Sequence, residues 1–198
     1  MKLKINNKEI EAFEGDTLIE AARRNNIDIP SMCYVAGYEH QPSCMVCVVV
    51  NRANNDIMPS CSTLAVNGMD IDAESNKVKE LRKISIELLL SDHIAVCRPP
   101  CNTNQCSLRK LATEYRAKWN RYPRYSAMTD RPAQFIKGRL WFDVSKCIRC
   151  GLCVYNSNDG FTFKNRGFGM EVVLPSESIA NVEEAIHQIC PTQAIYVL

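Results

Sequence analysis

The sequence predicts an α+β fold, and three observations carry that expectation. The chain opens with a strand-strand-helix-strand order and continues into a helical stripe. Its eleven cysteines in 198 residues divide by position into groups of four, three and four. Strands that precede and follow helices without regular alternation indicate α+β architecture rather than a parallel α/β sheet.

The first elements follow from local patterns. Lys2 to Ile5 and Ile10 to Phe13 alternate apolar and polar residues around Asn6-Asn7, a two-stranded start. Thr17-Leu18-Ile19-Glu20 has the form of a capping box, with Leu18, Ala21 and Ala22 at helical spacing and Asn25-Asn26 as the stop. Met45 to Val50 reads as a buried, Val-rich strand and Asn67-Gly68 as a tight turn between short strands. Val78 to Leu90 places apolar residues at 78, 81, 84, 88 and 89, a helix that ends at Ser91-Asp92-His93. From Arg109 to Arg139 nine Lys or Arg face only Glu114 and Asp130, although the whole chain is +2. A solvated helix and connector accounts for such a run, and so does a docking surface for an acidic or redox partner. No zinc-finger or RRM signature accompanies it, so no nucleic-acid partner is expected.

The cysteines admit three chemistries. An amino terminus with charge but no apolar signal region indicates a cytoplasmic chain, where disulfides do not persist, and eleven is awkward for a closed disulfide set. Structural zinc usually shows two Cys-x-x-Cys knuckles, and the first group, Cys33, Cys44, Cys47 and Cys61, has only Cys44-x-x-Cys47. Four soft thiolates also suit a 2Fe-2S cluster, and a loop that carries three of them leaves backbone N-H groups free to bond sulfur. The third group, Cys147-x2-Cys150-x2-Cys153 with Cys190-Pro191 far downstream, is the bacterial ferredoxin run and its closure. Two-cluster ferredoxins carry a further cysteine where Ser157 stands, so one 4Fe-4S cluster is expected here. Leu140-Trp141-Phe142 and Ala194 to Leu198 are natural strand partners around an insertion from Phe161 to Leu174.

The spacings of the first group, ten and thirteen residues on either side of Cys44-x-x-Cys47, resemble the β-grasp, plant-type 2Fe-2S module at the amino terminus of the large iron-sulfur subunit of respiratory complex I. The same module occurs in iron-only hydrogenases, in NAD-reducing hydrogenases and in NAD-dependent formate dehydrogenases. The resemblance continues through the second and third groups and covers nearly the whole chain. It implies three parts: a 2Fe-2S β-grasp domain over 1–77, a helical segment with a 4Fe-4S site and basic connector over 78–137, and a single-cluster 4Fe-4S ferredoxin-like domain over 138–198. In that family a histidine and three cysteines hold the middle cluster, here His93, Cys97, Cys101 and Cys106. The middle cysteine is shifted by one position relative to the family spacing, while the span from Cys97 to Cys106 matches. The Cys-x-x-Pro-Cys form is also similar to the amino-terminal cluster motif of glutamate-synthase-type small subunits. Imidazole nitrogen is a competent ligand for iron, and His93 supplies the fourth partner. His40 and His187 have no such company and are expected in a loop and on a helix surface.

Other chemistries lack their residues. Gly167-Phe168-Gly169 is followed by Met170-Glu171-Val172, so a dinucleotide fingerprint is incomplete, and these glycines read as turn or bulge positions. Neither a phosphate-binding loop nor a Ser/His/Asp arrangement occurs, no residue is expected to be catalytic, and every cysteine is assigned. No stretch is long and apolar enough to span a membrane. The expected function is that of an electron-transfer subunit with one 2Fe-2S and two 4Fe-4S clusters. Its expected partners in a hetero-oligomer are a flavoprotein that handles NAD(P)H and a catalytic oxidoreductase subunit. A freely diffusing multi-cluster ferredoxin and a zinc-bound structural protein are the alternatives.

Overall fold

The structure is a computed structural model that describes residues 1–91, 93, 106–119, 121–122 and 133–198. Strand β1 (Lys2–Ile5) turns back into β2 (Lys8–Glu11) in antiparallel register, with Ile5 opposite Lys8. Asn6 and Asn7 both take positive φ, 54° and 65°, the geometry of a two-residue turn that matches strand twist. The second strand therefore begins two residues earlier than the pattern of Ile10 to Phe13 suggests.

Helix α1 (Leu18–Arg24) starts where the capping box places it. The Glu20 carboxylate accepts from the Thr17 N-H at 2.8 Å and from its hydroxyl at 2.7 Å. Seven residues are too few for a helix to be stable alone, so packing decides. Leu18, Ile19, Ala21 and Ala22 are all buried. They cover a sheet completed by β3 (Val48–Asn51), β4 (Ile57–Pro59) and β5 (Asp70–Asp72), in the order β2-β1-β5-β3-β4. The central pair β1 and β5 is parallel and the outer pairs are antiparallel. Strand β3 starts at Val48, later than expected, because Met45 has φ of 54° and belongs to the preceding loop.

Helix α2 (Asn76–Ser91) is longer than its apolar pattern, and its inward face differs from the expected stripe. Val78, Arg82, Ile86, Glu87 and Leu90 are buried, whereas Leu88 is 51% exposed. Two opposite charges lie inside because distant segments receive them. The Arg82 guanidinium reaches the Val48 carbonyl, and Glu87 accepts from the Lys118 N-H at 2.9 Å and from Arg121 at 2.7 Å. One cation of the basic segment, Arg121, thus reaches in from the surface to a buried carboxylate. Helix α3 (Ser107–Glu114) packs against α2 through Leu108, Leu111 and Ala112.

The remaining residues form short pieces around a third core. Strands β6 (Gln134–Lys137), β7 (Leu140–Phe142) and, from the far end, β10 (Ile195–Val197) make a three-stranded sheet with β7 central. The expected pairing of Leu140 to Phe142 with the 194–198 strand is observed, antiparallel. Between them lie α4 (Leu152–Tyr155) and a hairpin of β8 (Thr162–Lys164) and β9 (Glu171–Val173) inside the expected insertion. Gly167, at φ of 58°, serves a turn in that hairpin. No helix among the described residues is long and apolar enough to cross a membrane.

Candidate metal centres

The first cysteine group converges on the edge of the β-grasp core. Cys33, Cys44, Cys47 and Cys61 are all buried, and the Cys33 and Cys44 sulfurs lie 3.3 Å apart. Each segment that carries them is tied down. The Tyr34 hydroxyl lies 3.2 Å from Glu20 Oε1, which joins the loop to the cap of α1. His40 is a loop residue, as expected, with Nε2 3.2 Å from the Cys61 carbonyl and its ring edge-on to Tyr34. Ser60 donates from its N-H and hydroxyl to the Cys47 carbonyl, at 3.2 and 2.7 Å. The Val46 N-H points at Cys44 Sγ, 3.5 Å away, an amide of the kind that tunes a cluster through its sulfur.

These thiols share protons. Hydrogen bonds from Cys44 and Cys61 hold the Cys33 thiol well below its ordinary value. Cys47 is lowered to about 6 by its bond to Cys61. Cys44 and Cys61 are raised, chiefly through the same bonds and then by burial. A soft centre that takes four thiolates displaces the protons retained on Cys44 and Cys61, so loading is coupled to proton release. Among the described residues no group of three His, Cys, Asp or Glu side chains could hold a metal ion by itself. No cysteine among the described residues is in a disulfide.

The third group lies inside the core of the carboxy-terminal unit. Cys147, Cys150, Cys153 and Cys190 line one small cavity with apolar walls that include Phe142, Leu152 and Ile195. Cys147 follows a 3-10 turn, Cys153 sits in the single-turn α4, and Cys190 caps a second 3-10 turn over Glu184–Ile189. Arg149 and Gly151 take positive φ, 57° and 81°, which curls the backbone around the cavity. The Arg149 N-H donates to Cys147 Sγ at 3.3 Å. At Gly151 a Cβ would lie 2.6 Å from the Tyr155 ring and 3.3 Å from Phe163, so the position has no room for a side chain. Burial pushes the Cys147 thiol up to about 12 and raises Cys150 and Cys153 as well. An apolar pocket disfavours bare thiolates but suits them once a ferric-sulfide core spreads their charge. Both four-cysteine sets thus fit an iron-sulfur group in donor chemistry and enclosure.

Ser157, at the position where two-cluster ferredoxins carry a cysteine, has a structural use instead. It is 3% exposed, and its hydroxyl accepts from the Phe161 N-H at 2.8 Å. His187 sits in the second 3-10 turn, half-buried, with Nδ1 2.6 Å from the Glu184 carbonyl.

Of the second group, His93 and Cys106 are described, while Cys97 and Cys101 lie outside the described residues. His93 follows α2, its N-H bonded to the Leu90 carbonyl, and its 3% exposed ring faces Trp119 at 6.4 Å between centroids. Cys106 is buried at the amino-terminal cap of α3, and Ser107 donates its N-H to the Pro191 carbonyl at 2.8 Å, beside Cys190. The segments that carry the first and third groups are joined as well: Asn156 bonds the Glu39 backbone twice, accepting its N-H at 3.0 Å and donating to its carbonyl at 2.8 Å. Arg82, Gly151 and Asn156 support these sites without a signature in the sequence. Only the glycine next to a Cys-x-x-Cys run offered a hint.

Residues 1–76 match the family model of a 2Fe-2S iron-sulfur cluster binding domain, and residues 140–197 that of a 4Fe-4S single cluster domain. The chain is 25% identical to the gamma chain of the NAD-reducing hydrogenase HoxS of Cupriavidus necator, covering 98% of this chain and 86% of that protein. It is 29% identical to an NADH-quinone oxidoreductase component of Rickettsia typhi over 98% of this chain, but spans only 30% of that protein. It covers about a third or less of several other relatives. In fold it matches a chain of an NAD+-reducing NiFe hydrogenase crystallised in the H2-reduced state, with a TM-score of 0.87 at 24% identity over 99% of this chain and 86% of that one.

Proposed function

We propose that this chain, with a 2Fe-2S domain at one end and a single-cluster 4Fe-4S domain at the other, is an electron-transfer subunit of a larger oxidoreductase complex. In this reading Cys33, Cys44, Cys47 and Cys61 hold a 2Fe-2S cluster. His93, Cys97, Cys101 and Cys106 hold one 4Fe-4S cluster, and Cys147, Cys150, Cys153 and Cys190 hold another. The three parts are 1–77, 78–137 and 138–198. The partners are a flavoprotein that handles NAD(P)H and a catalytic subunit, in the cytoplasm.

One observation carries the reading. Cys33 and Cys44 of the first group, Cys106 of the second and Cys150 of the third pack into the same apolar cluster with Met32, Ile86, Leu108 and Ile148. Three separate metal sites with unrelated tasks have no reason to share a core, whereas an electron path needs them adjacent and dry. Clusters, when bound, supply one-electron storage between a two-electron hydride donor and a one-electron path. The protein's part is placement. Met32 and Ile148 exclude water between sites, and the N-H groups of Val46 and Arg149 bond the sulfurs. Such bonds and the degree of burial set the potentials.

Anaerobic iron and sulfide quantification with EPR of the dithionite-reduced protein tests it. About 10 iron per chain, with one 2Fe-2S and two 4Fe-4S signals, is the expected result. About 6 iron overturns the middle centre, and a colourless, zinc-loaded protein overturns the whole reading.

A further inference from the structure

The inward face of α2 carries a buried cation that forms no ion pair among the described residues. Arg82 is 3% exposed; its Nη2 donates to the Val48 carbonyl at 3.0 Å, its Nη1 to the Tyr115 hydroxyl at 3.3 Å, and its Nε has no hydrogen-bond partner. Among the described residues no carboxylate pairs with it. Glu87, the other buried charge of the helix, is occupied by Arg121 and the Lys118 N-H. A guanidinium taken out of water without a counter-charge is costly, and native folds seldom keep one without a compensating group.

The carbonyl that Arg82 grips belongs to the residue directly after Cys47. Summing the 3.0 Å contact with covalent geometry places the guanidinium within about 12 Å of the Cys47 sulfur. We propose that Arg82 is the internal counter-charge of the site formed by Cys33, Cys44, Cys47 and Cys61, and that it raises the reduction potential there. The proposal rests on the reading of those four cysteines as 2Fe-2S ligands. Four thiolates, two sulfides and two ferric ions carry net negative charge. One electron from the reductant makes it more negative by one, with no bond made or broken and no proton required. A unit cation at about 12 Å and an effective permittivity of about 20 favours that added charge about tenfold. Because Arg82 is buried, dissolved salt screens little of this effect.

The test is an EPR-monitored dithionite titration of the iron-loaded protein and its variants. The 4Fe-4S signal of the Cys147 group serves as internal reference. Arg82→Gln is expected to lower the one-electron reduction equilibrium of the 2Fe-2S signal about tenfold, a shift of about 59 mV, and to move the reference less. Arg82→Lys, which keeps the charge, and Tyr115→Phe, which removes only a hydrogen-bond partner, are expected to stay within about threefold of the parent. If Arg82→Gln loses the 2Fe-2S signal altogether while Arg82→Lys retains signal and potential, the counter-charge role also stands. An unchanged potential in Arg82→Gln at full iron content overturns the proposal and leaves the cysteine assignment intact. Equal shifts in Arg82→Gln and Arg82→Lys, or loss of the signal in both, also overturn it, by assigning Arg82 to packing. A parent protein without any 2Fe-2S signal overturns the cysteine assignment first and this inference with it.

Discussion

The two ends of the chain gather four cysteines each, yet they divide their apolar residues differently between core and site. In the first unit Leu3, Ile5, Ile10, Leu18, Ile19 and Ile71 fill a core between a five-stranded sheet and α1, and only Cys47 and Cys61 of the site reach into it. In the last unit Ile136, Leu140, Phe142 and Phe161 help fill the core beside the single-turn α4, and all four cysteines pack against that core and line a cavity. One unit has a metal site on the flank of a conventional core. The other packs all four of its site cysteines against its core, and small domains lean on such staples.

The sharpest test is chelation. Removing iron anaerobically should unfold most of 140–197 and leave the β-grasp sheet standing, because all four cysteines of the last site pack against the core of that unit, where binding free energy is part of folding free energy. Hydrogen exchange read by mass spectrometry checks it: complete exchange in β7 and β10 with retained protection in β1 and β5 is expected, and equal loss at both ends erases the contrast. Next in size is Gly151→Ala. A Cβ there meets the Tyr155 ring at 2.6 Å, at a φ of 81°. The strain of about 1–3 kcal/mol falls on residues that curl around the cavity. The Cys147-group signal should weaken or disappear while the 2Fe-2S signal persists.

Smaller effects probe how the two units are joined and how the first holds itself. Asn156→Ala removes both side-chain bonds to Glu39 and should cost about 1–2 kcal/mol of coupling. Two resolved thermal transitions in place of one would report that loss. Asp16 receives the Phe13 N-H and pairs with Arg24, whose guanidinium holds its carboxyl below the ordinary range. A carboxylate depressed in the folded state contributes stability that is present above its unfolded value, about 3.9, and lost as pH falls through the folded one. Asp16→Asn should therefore be less stable than the parent near neutrality and converge with it once pH has fallen below the depressed folded value. Acid titration of β-grasp unfolding by circular dichroism measures the difference.

What could be read in advance was what neighbours in sequence determine. The Thr17 to Glu20 capping box and the Asn6-Asn7 turn are local, and the structure repeats them. The inward face of α2 was not legible. Leu81, Ile84 and Leu88 looked like its core stripe, but burial of Arg82 and Glu87 depends on Val48, Tyr115 and Arg121, more than thirty residues away. The same holds for Asn156, whose partner is 117 positions distant. Met45 belonged by composition to a Val-rich strand, yet it lies between two site cysteines, whose loop geometry outweighs its β propensity. Of the middle site, the placement of His93 and Cys106 beside α2 and α3 is described, and the rest rests on the motif.

The parallel pairing of β1 with β5 bears on the order in which the protein is made. The first sheet can close once Asp72 has been synthesised, and by then all four of its cysteines are already in the chain. The last site must wait for Cys190. At about 5–20 residues per second, the residues between add about 6–24 s. The nascent chain therefore passes through a stage in which its first site can be filled while its last is incomplete.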